Sequence, residues 1–398
     1  MHTFAKAGVL GAAAAVAVTA SAAMSPARAA EVSAAHSTVY VSPRGTPTAR
    51  DTNCGNAAYN SIGAAVSAAA SGGTIVVCGG TYDESVSVAK PLSLVGLSHP
   101  VIDATGDING ILITAPHVTI RGFKVANAIA EGILVNAANY ATIAGNTVTD
   151  NDQGAALVDP VPTSYAECQP VGAVPGDCGE GIHLMGSSYS TVAGNTSTGN
   201  SGGILLSDET GPTAHNRIVR NVVSGNLSDC GITVVGHNPA AAPGGVPAPK
   251  AAGVYANEIA GNHITGNGTK GQGAGVVLAT GLPGGAVYDN TVIGNSISGN
   301  GISGVTVHSH LPGQYMNGNV VTRNRIGTNN LDGDDDFAPH VDDQTTGVLV
   351  ATVDPLSVIV TGNVITNNHF GIWTTGPASV TRANTNAFRH VAVPVAQG

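Results

Sequence analysis

The sequence predicts an all-β chain wound as a solenoid of parallel strands, a β-helix, with one short helix capping its N-terminal end. Three observations carry that expectation. A Gly-Asn or Arg-Asn turn followed by a short apolar strand recurs as AGNTVTDN (144–151), AGNTSTGN (193–200), VRNVVSGN (219–226), AGNHITGN (260–267), IGNSISGN (293–300), TRNRIGTN (322–329) and TGNVITNN (361–368). Each copy leads, directly or after an insertion, into a strand opening on glycine, from GIHL (181–184) to GIWT (371–374). A unit that cannot bury its own apolar face is stable only when stacked on copies of itself. Composition agrees: 10% of residues are charged and 54 are glycine, which suits turn-rich strands better than helices.

Taken in order, residues 1–30 read as a secretory signal peptide. Lys6 supplies the basic start, 9–24 an apolar run, and Ala27-Arg28-Ala29 or Arg28-Ala29-Ala30 a small-residue cleavage site. Residues 31–398 are expected to form one solenoid domain, with a cap over about 38–97 and repeat coils over about 98–385. Residues 31–45 lead into a first strand, STVYVS. The segment 61–71 is the one convincing helix, with Ile62, Ala65, Val66 and Ala69 on one face. It is placed to cover strand edges that an open solenoid would leave unpaired. Segments 73–97 and 111–125 are the first coils.

Removal of the leader, which holds Lys6, Arg28 and no acid, takes the net charge from −10 to −12. An acidic surface argues against nucleic acid and disfavours a polyanionic substrate. No other stretch is apolar enough to span a bilayer, so a secreted monomer free of membrane is expected. Five cysteines in an exported chain invite disulfides. Proximity pairs Cys54 with Cys78 and Cys168 with Cys178; Cys230 is left as a small buried filler.

The run GGTIVVCGGTYDESVSVAKPLSLVG, preceded by a helix and followed by Gly-Asn coils, resembles the pectin-lyase-like right-handed parallel β-helix superfamily, in the style of PbH1-repeat and NosD-like proteins. The resemblance covers roughly residues 38–385. It implies a right-handed, single-stranded β-helix, and a superfamily that includes polysaccharide lyases, glycoside hydrolases, epimerases, tailspikes and metal-site accessory proteins. Fold alone does not choose among these.

The repeat asparagines Asn146, Asn195, Asn221, Asn262, Asn295, Asn324 and Asn363 are expected to stack as a structural ladder, since Asn tolerates the left-handed turn each copy needs. Residues that break the pattern are better candidates for chemistry. Aligning the glycine-initiated strands places Ser207, His308 and the apolar Val235 and Ala279 in one column. The next holds Asp208, and the third holds Glu209, His237 and His310. Stacked coils lie about 4.8 Å apart, so Asp208, Glu209, His237, His308 and His310 share one edge spanning roughly 15 Å. Insertions at 209–216, 237–257, 281–290 and 310–319 leave from the same edge, as loops that build a binding face do. Adjacent residues face opposite ways, so Asp208 and Glu209 are not expected to share the groove.

A second line borders the other strand end: Asp229, Lys270 and the acidic loop 331–343, where Asp332, Asp334 and Asp336 offer the oxygen density calcium prefers. Lys270 resembles the basic residue that β-helix lyases use as a base. Two enzymatic readings follow. A glycoside hydrolase needs a carboxyl donor and a base, which Asp208 or Glu209 with Asp229 supply. A polysaccharide lyase needs a base, here His308, His310 or Lys270. Sugar stacking would rest on Tyr255, Tyr288 or Tyr315. The expected partner is an extracellular carbohydrate. The non-enzymatic alternatives are a carbohydrate-binding surface protein and a NosD-like metal-binding protein using His237, His308 and His310.

Overall fold

The computed structural model describes residues 38–151, 179–269, 273–331 and 344–398, with the backbone of strands Ala155–Val158 and Val161–Ser164. The expected leader, the Cys168–Cys178 pair, Lys270, and Asp332, Asp334 and Asp336 lie outside the described residues.

Three long sheets run the length of the described chain. Sheet I has 12 strands, from Thr38–Val41 to Ala378–Thr381; sheet II has 11, from Thr81–Asp83 to Ala387–Arg389; sheet III has 11, from Val86–Val88 to Val393–Gln397. Neighbouring strands pair in parallel and come from successive coils, as in Ile143↔Val192 of sheet I and Val148↔Ser197 of sheet II. One coil therefore visits sheets III, I and II in turn: Glu180–Met185, Thr191–Ala193, Thr196–Thr198. This is a right-handed parallel β-helix, the hand that parallel crossovers favour.

Period-two alternation decides what faces inward. The central residue of the three-residue strands of sheets I and II points into the bore, so Ile143, Val192, Ile218 and Ile259 form one fully buried row. Sheet III does the same with Ile204, Ile232, Val276 and Val305. Burying one such side chain is worth about 2 kcal/mol.

The turns are held by amides. Asn146, Asn195, Asn221, Asn262, Asn295, Asn324, Asn363 and Asn386 form a continuous ladder in which each Nδ2 donates to the next Oδ1 at 2.8–3.0 Å. A second ladder runs through Asn151, Asn200, Asn226, Asn267, Asn300 and Asn329. Glycine opens the strands of sheet III because successive coils approach closely there. A Cβ on Gly304 would lie 2.7 Å from the carbonyl oxygen of Gly347 and as close to the Ile326 side chain.

The cap is the helix Ile62–Ala68, one turn shorter than its sequence pattern because Ala69 is already extended. Ser61 Oγ accepts from the Ala64 amide at 3.2 Å, and the Glu84 carboxylate takes the Ile62 and Gly63 amides at 2.6 and 3.0 Å. These acceptors satisfy donors that the first helical turn leaves unpaired. Ile62, Ala65, Val66 and Ala69 are buried against the first strands. Cys54 and Cys78 form a disulfide beside this cap.

Candidate active site on the outer face of sheet III

Register on sheet III fixes the columns that carry the candidate residues. Met185, Ser207, Val235, Ala279, His308 and Ala351 are mutual neighbours across the coils, and Thr280 pairs with Ser309. The insertions after these strands rise on one flank, and the connections from sheet II to sheet III rise on the other.

Between the flanks lies an open cavity of about 250 Å³. Its floor is Val235, Val277 and Ala279, packed in a small apolar cluster with Leu205 and Ile302. Asp229, Cys230 and Thr233 line one part, and His237, His308 and His310 another. Asp229, read from the sequence as bordering the opposite strand end, thus meets His237, His308 and His310 around one cavity.

Their environments differ sharply. Burial raises the pKa of Asp229 above the usual carboxylate range, against contacts from Cys230, Glu180 and Thr233. Such a carboxyl retains its proton to higher pH than an exposed one. Burial would raise Glu209 as well. There the hydrogen bond to His237, the charges of His183 and His237, and the hydrogen bond from Ser207 prevail, and its pKa is about 2. Glu209 is therefore ionised, with Oε1 at 2.7 Å from Nδ1 of His237. His308 is half-buried, and burial with the nearby His310 lowers its pKa to about 3. Its ring is held in the neutral form at ordinary pH. The His308 and His310 rings meet edge-on at 4.7 Å, with His310 at the exposed rim.

Asp208 does not line the cavity. It is wholly buried, and its carboxyl accepts from the backbone amides of His237, Asn238 and Gly253 at 2.7, 3.1 and 2.8 Å. Burial and the charge of Glu209 raise its pKa to about 6 against those bonds. Asp208 anchors the 237–253 insertion, because a carboxyl committed to three amides has little left for a substrate. The tyrosines also depart from expectation. Tyr255 and Tyr288 stack on each other at 4.9 Å, and Tyr288 meets Tyr315 edge-on at 5.4 Å. They continue a surface row of His117, Tyr140, Tyr189 and His215, so their faces are covered by one another instead of being open to a sugar. Cys230 is a buried thiol whose pKa burial raises far above normal. Among the described residues no three His, Cys, Asp or Glu side chains converge as metal ligands.

A buried polar chain on the neighbouring coils of sheet III was not read from the sequence. Glu131 Oε1 lies 3.2 Å from His183 Nδ1, and His183 Nε2 lies 2.7 Å from Ser207 Oγ. Ser207 in turn hydrogen-bonds Glu209. The signal was the repeated Glu-Gly-Ile at 131–133 and 180–182, which places an acid at the same point of adjacent coils with His183 facing outward.

Residues 107–242 match the family model described as a right handed beta helix region. Among solved structures, an alginate lyase from Paenibacillus sp. str. FPU-7 superposes with a TM-score of 0.51 and 16% identity, over 85% of this chain and 95% of that one. A structure described as a glycoside hydrolase gives 0.51 and 9% identity, over 90% and 96%. The A-module of a mannuronan C-5 epimerase from Azotobacter vinelandii gives 0.49 and 16%, over 81% and 88%. At these identities the likeness is one of fold. No curated protein matches the sequence.

Proposed function

We propose that this right-handed parallel β-helix is a secreted carbohydrate-active enzyme that cleaves an extracellular polysaccharide by acid/base chemistry in the sheet III cavity. One observation carries the reading: a single open cavity is lined both by a carboxyl whose proton affinity is raised, Asp229, and by an imidazole tied to an ionised carboxylate, His237 on Glu209. Pairs of titratable groups pushed apart in pKa are what divide acid from base. Asp229 donates a proton to the leaving glycosidic oxygen. His237, its Nδ1 held by Glu209, is the base toward water.

Glycoside hydrolysis is favoured over elimination. The chain is acidic, with a net charge of −10, which disfavours a polyanionic uronate substrate. The shared fold with carbohydrate-acting proteins raises the prior without choosing the reaction. The leader-like residues 1–30 and the Cys54–Cys78 disulfide support an extracellular setting.

A panel of neutral and acidic glycans, read both for new reducing ends and for unsaturated uronate absorbance, tests the proposal. Reducing ends from a neutral glycan are expected, with Asp229→Asn and His237→Ala each losing about 100-fold or more in kcat. Unsaturated products would reassign the chemistry to elimination. Silence across the panel, or full activity in Asp229→Asn, would overturn it. Repeating the panel with a chelator reads the calcium expectation attached to Asp332, Asp334 and Asp336.

A further inference from the structure

We infer that Glu131, His183 and Ser207 form a buried charge relay, a hydrogen-bonded chain ending on the ionised Glu209, so that His183 and Ser207 are positioning residues for the acid/base site. The consequence for turnover rests on the function proposed above; the relay itself rests on the geometry of the chain together with the ionised state of Glu209.

Counting donors leads to it. The Ser207 hydroxyl carries one proton, and two groups face it: Nε2 of His183 at 2.7 Å and the Glu209 carboxylate. An ionised carboxylate only accepts, so the hydroxyl proton goes to Glu209. His183 Nε2 must then donate to Ser207 Oγ. Its Nδ1 lies 3.2 Å from Oε1 of Glu131, whose other oxygen accepts from the Glu180 amide at 3.1 Å, and we take this pair as a carboxylate accepting from the ring. A ring donating from both nitrogens is an imidazolium. The surroundings agree, since the carboxyl of Glu131 touches the ring directly and the ionised Glu209 faces it through Ser207. Ser207, His183 and Glu131 are 0%, 1% and 4% exposed, so bulk water does not reach the chain.

No proton changes place in this charge relay: the Nε2 proton stays on His183 and the hydroxyl proton on Ser207. The positive ring thus bears on Glu209 through Ser207 and keeps the carboxylate that holds His237 ionised. The same three residues have the spacing of a Ser-His-Glu nucleophile. That reading fails because the hydroxyl proton is directed to Glu209 and the Ser207 oxygen is sealed.

Imidazole-nitrogen NMR on the full chain, with His183 assigned through His183→Gln, tests the relay without any substrate. At pH 7 both His183 ring nitrogens are expected to be protonated, and Glu209→Gln should move its titration midpoint to lower pH. Ser207→Ala should abolish that coupling, and Ser207→Thr should restore it. A neutral His183 at pH 7, or a titration indifferent to Glu209→Gln, overturns the relay. Where a glycan is turned over, Ser207→Ala should lower kcat at least 10-fold at unchanged KM and shift the pH profile, with Thr rescuing both. An unaffected profile would sink the relay and leave the proposed function standing. A wild-type chain with no activity would sink the function and leave the NMR result to decide the relay.

Discussion

Asp208 and Glu209 are adjacent carboxyls with opposite employment, and the cause is the alternation of a strand. Glu209 points outward to His237 and Ser207, while Asp208 turns into the insertion and takes three backbone amides. Glu209 has a folded pKa of about 2, below its ordinary value of about 4.3. The folded state therefore binds fewer protons than the unfolded one across that window. The stability Glu209 contributes is complete above about pH 4.3 and is lost as pH falls toward 2. Glu209→Gln should be less stable than wild type at pH 7, yet lose less stability between about pH 5 and pH 2; denaturant midpoints across that range would show it. Parallel curves for the two proteins would mean that the Glu209–His237 pair is not formed in solution. For Asp208→Ala, three buried amides lose their acceptor, an expected cost of about 3 kcal/mol. Faster hydrogen exchange at His237, Asn238 and Gly253 should accompany it.

The turn ladders behave as elements in their own right. Asn221 Oδ1 accepts from the Asn195 amide and side chain, and its Nδ2 donates to the Val192 carbonyl and Asn262. Every polar atom is satisfied along the axis, so Asn221→Ala should cost about 3 kcal/mol in a thermal or denaturant melt while leaving turnover unchanged. This ladder was legible in the sequence, and so was the register of sheet III, because a repeat maps sequence offset directly onto spatial column. Asp229 and His237 were each found that way. Their meeting around one cavity was not legible, since it depends on how the turns before Gly231 and Gly275 fold over the sheet. Nor was the relay, whose Glu131–His183 contact joins residues 52 positions apart across an insertion. The tyrosines misled for a related reason. An aromatic residue in a loop looks available until the next coil supplies another ring at stacking distance.

A solenoid's stability is a sum of coil and nearest-neighbour terms, so damage at one end should stay there. The Cys54–Cys78 disulfide closes a 24-residue separation next to the capping helix and borders an open surface recess. Cross-linking a loop of that length stabilises by about 3 kcal/mol, chiefly by restricting the unfolded chain. Mild reductant should therefore release the helix Ile62–Ala68 and the strands Thr38–Val41 and Thr74–Val77, seen as lost hydrogen-exchange protection. Amides of Ile232–Gly236 and Val276–Thr280, several coils away under the cavity, should keep theirs. Glycan turnover, where found, should persist in the reduced protein for the same reason. Loss of protection throughout would mean that the coils unfold as one cooperative unit. The cavity would then depend on the N-terminal cap for its stability as well as on the sheet that forms its floor.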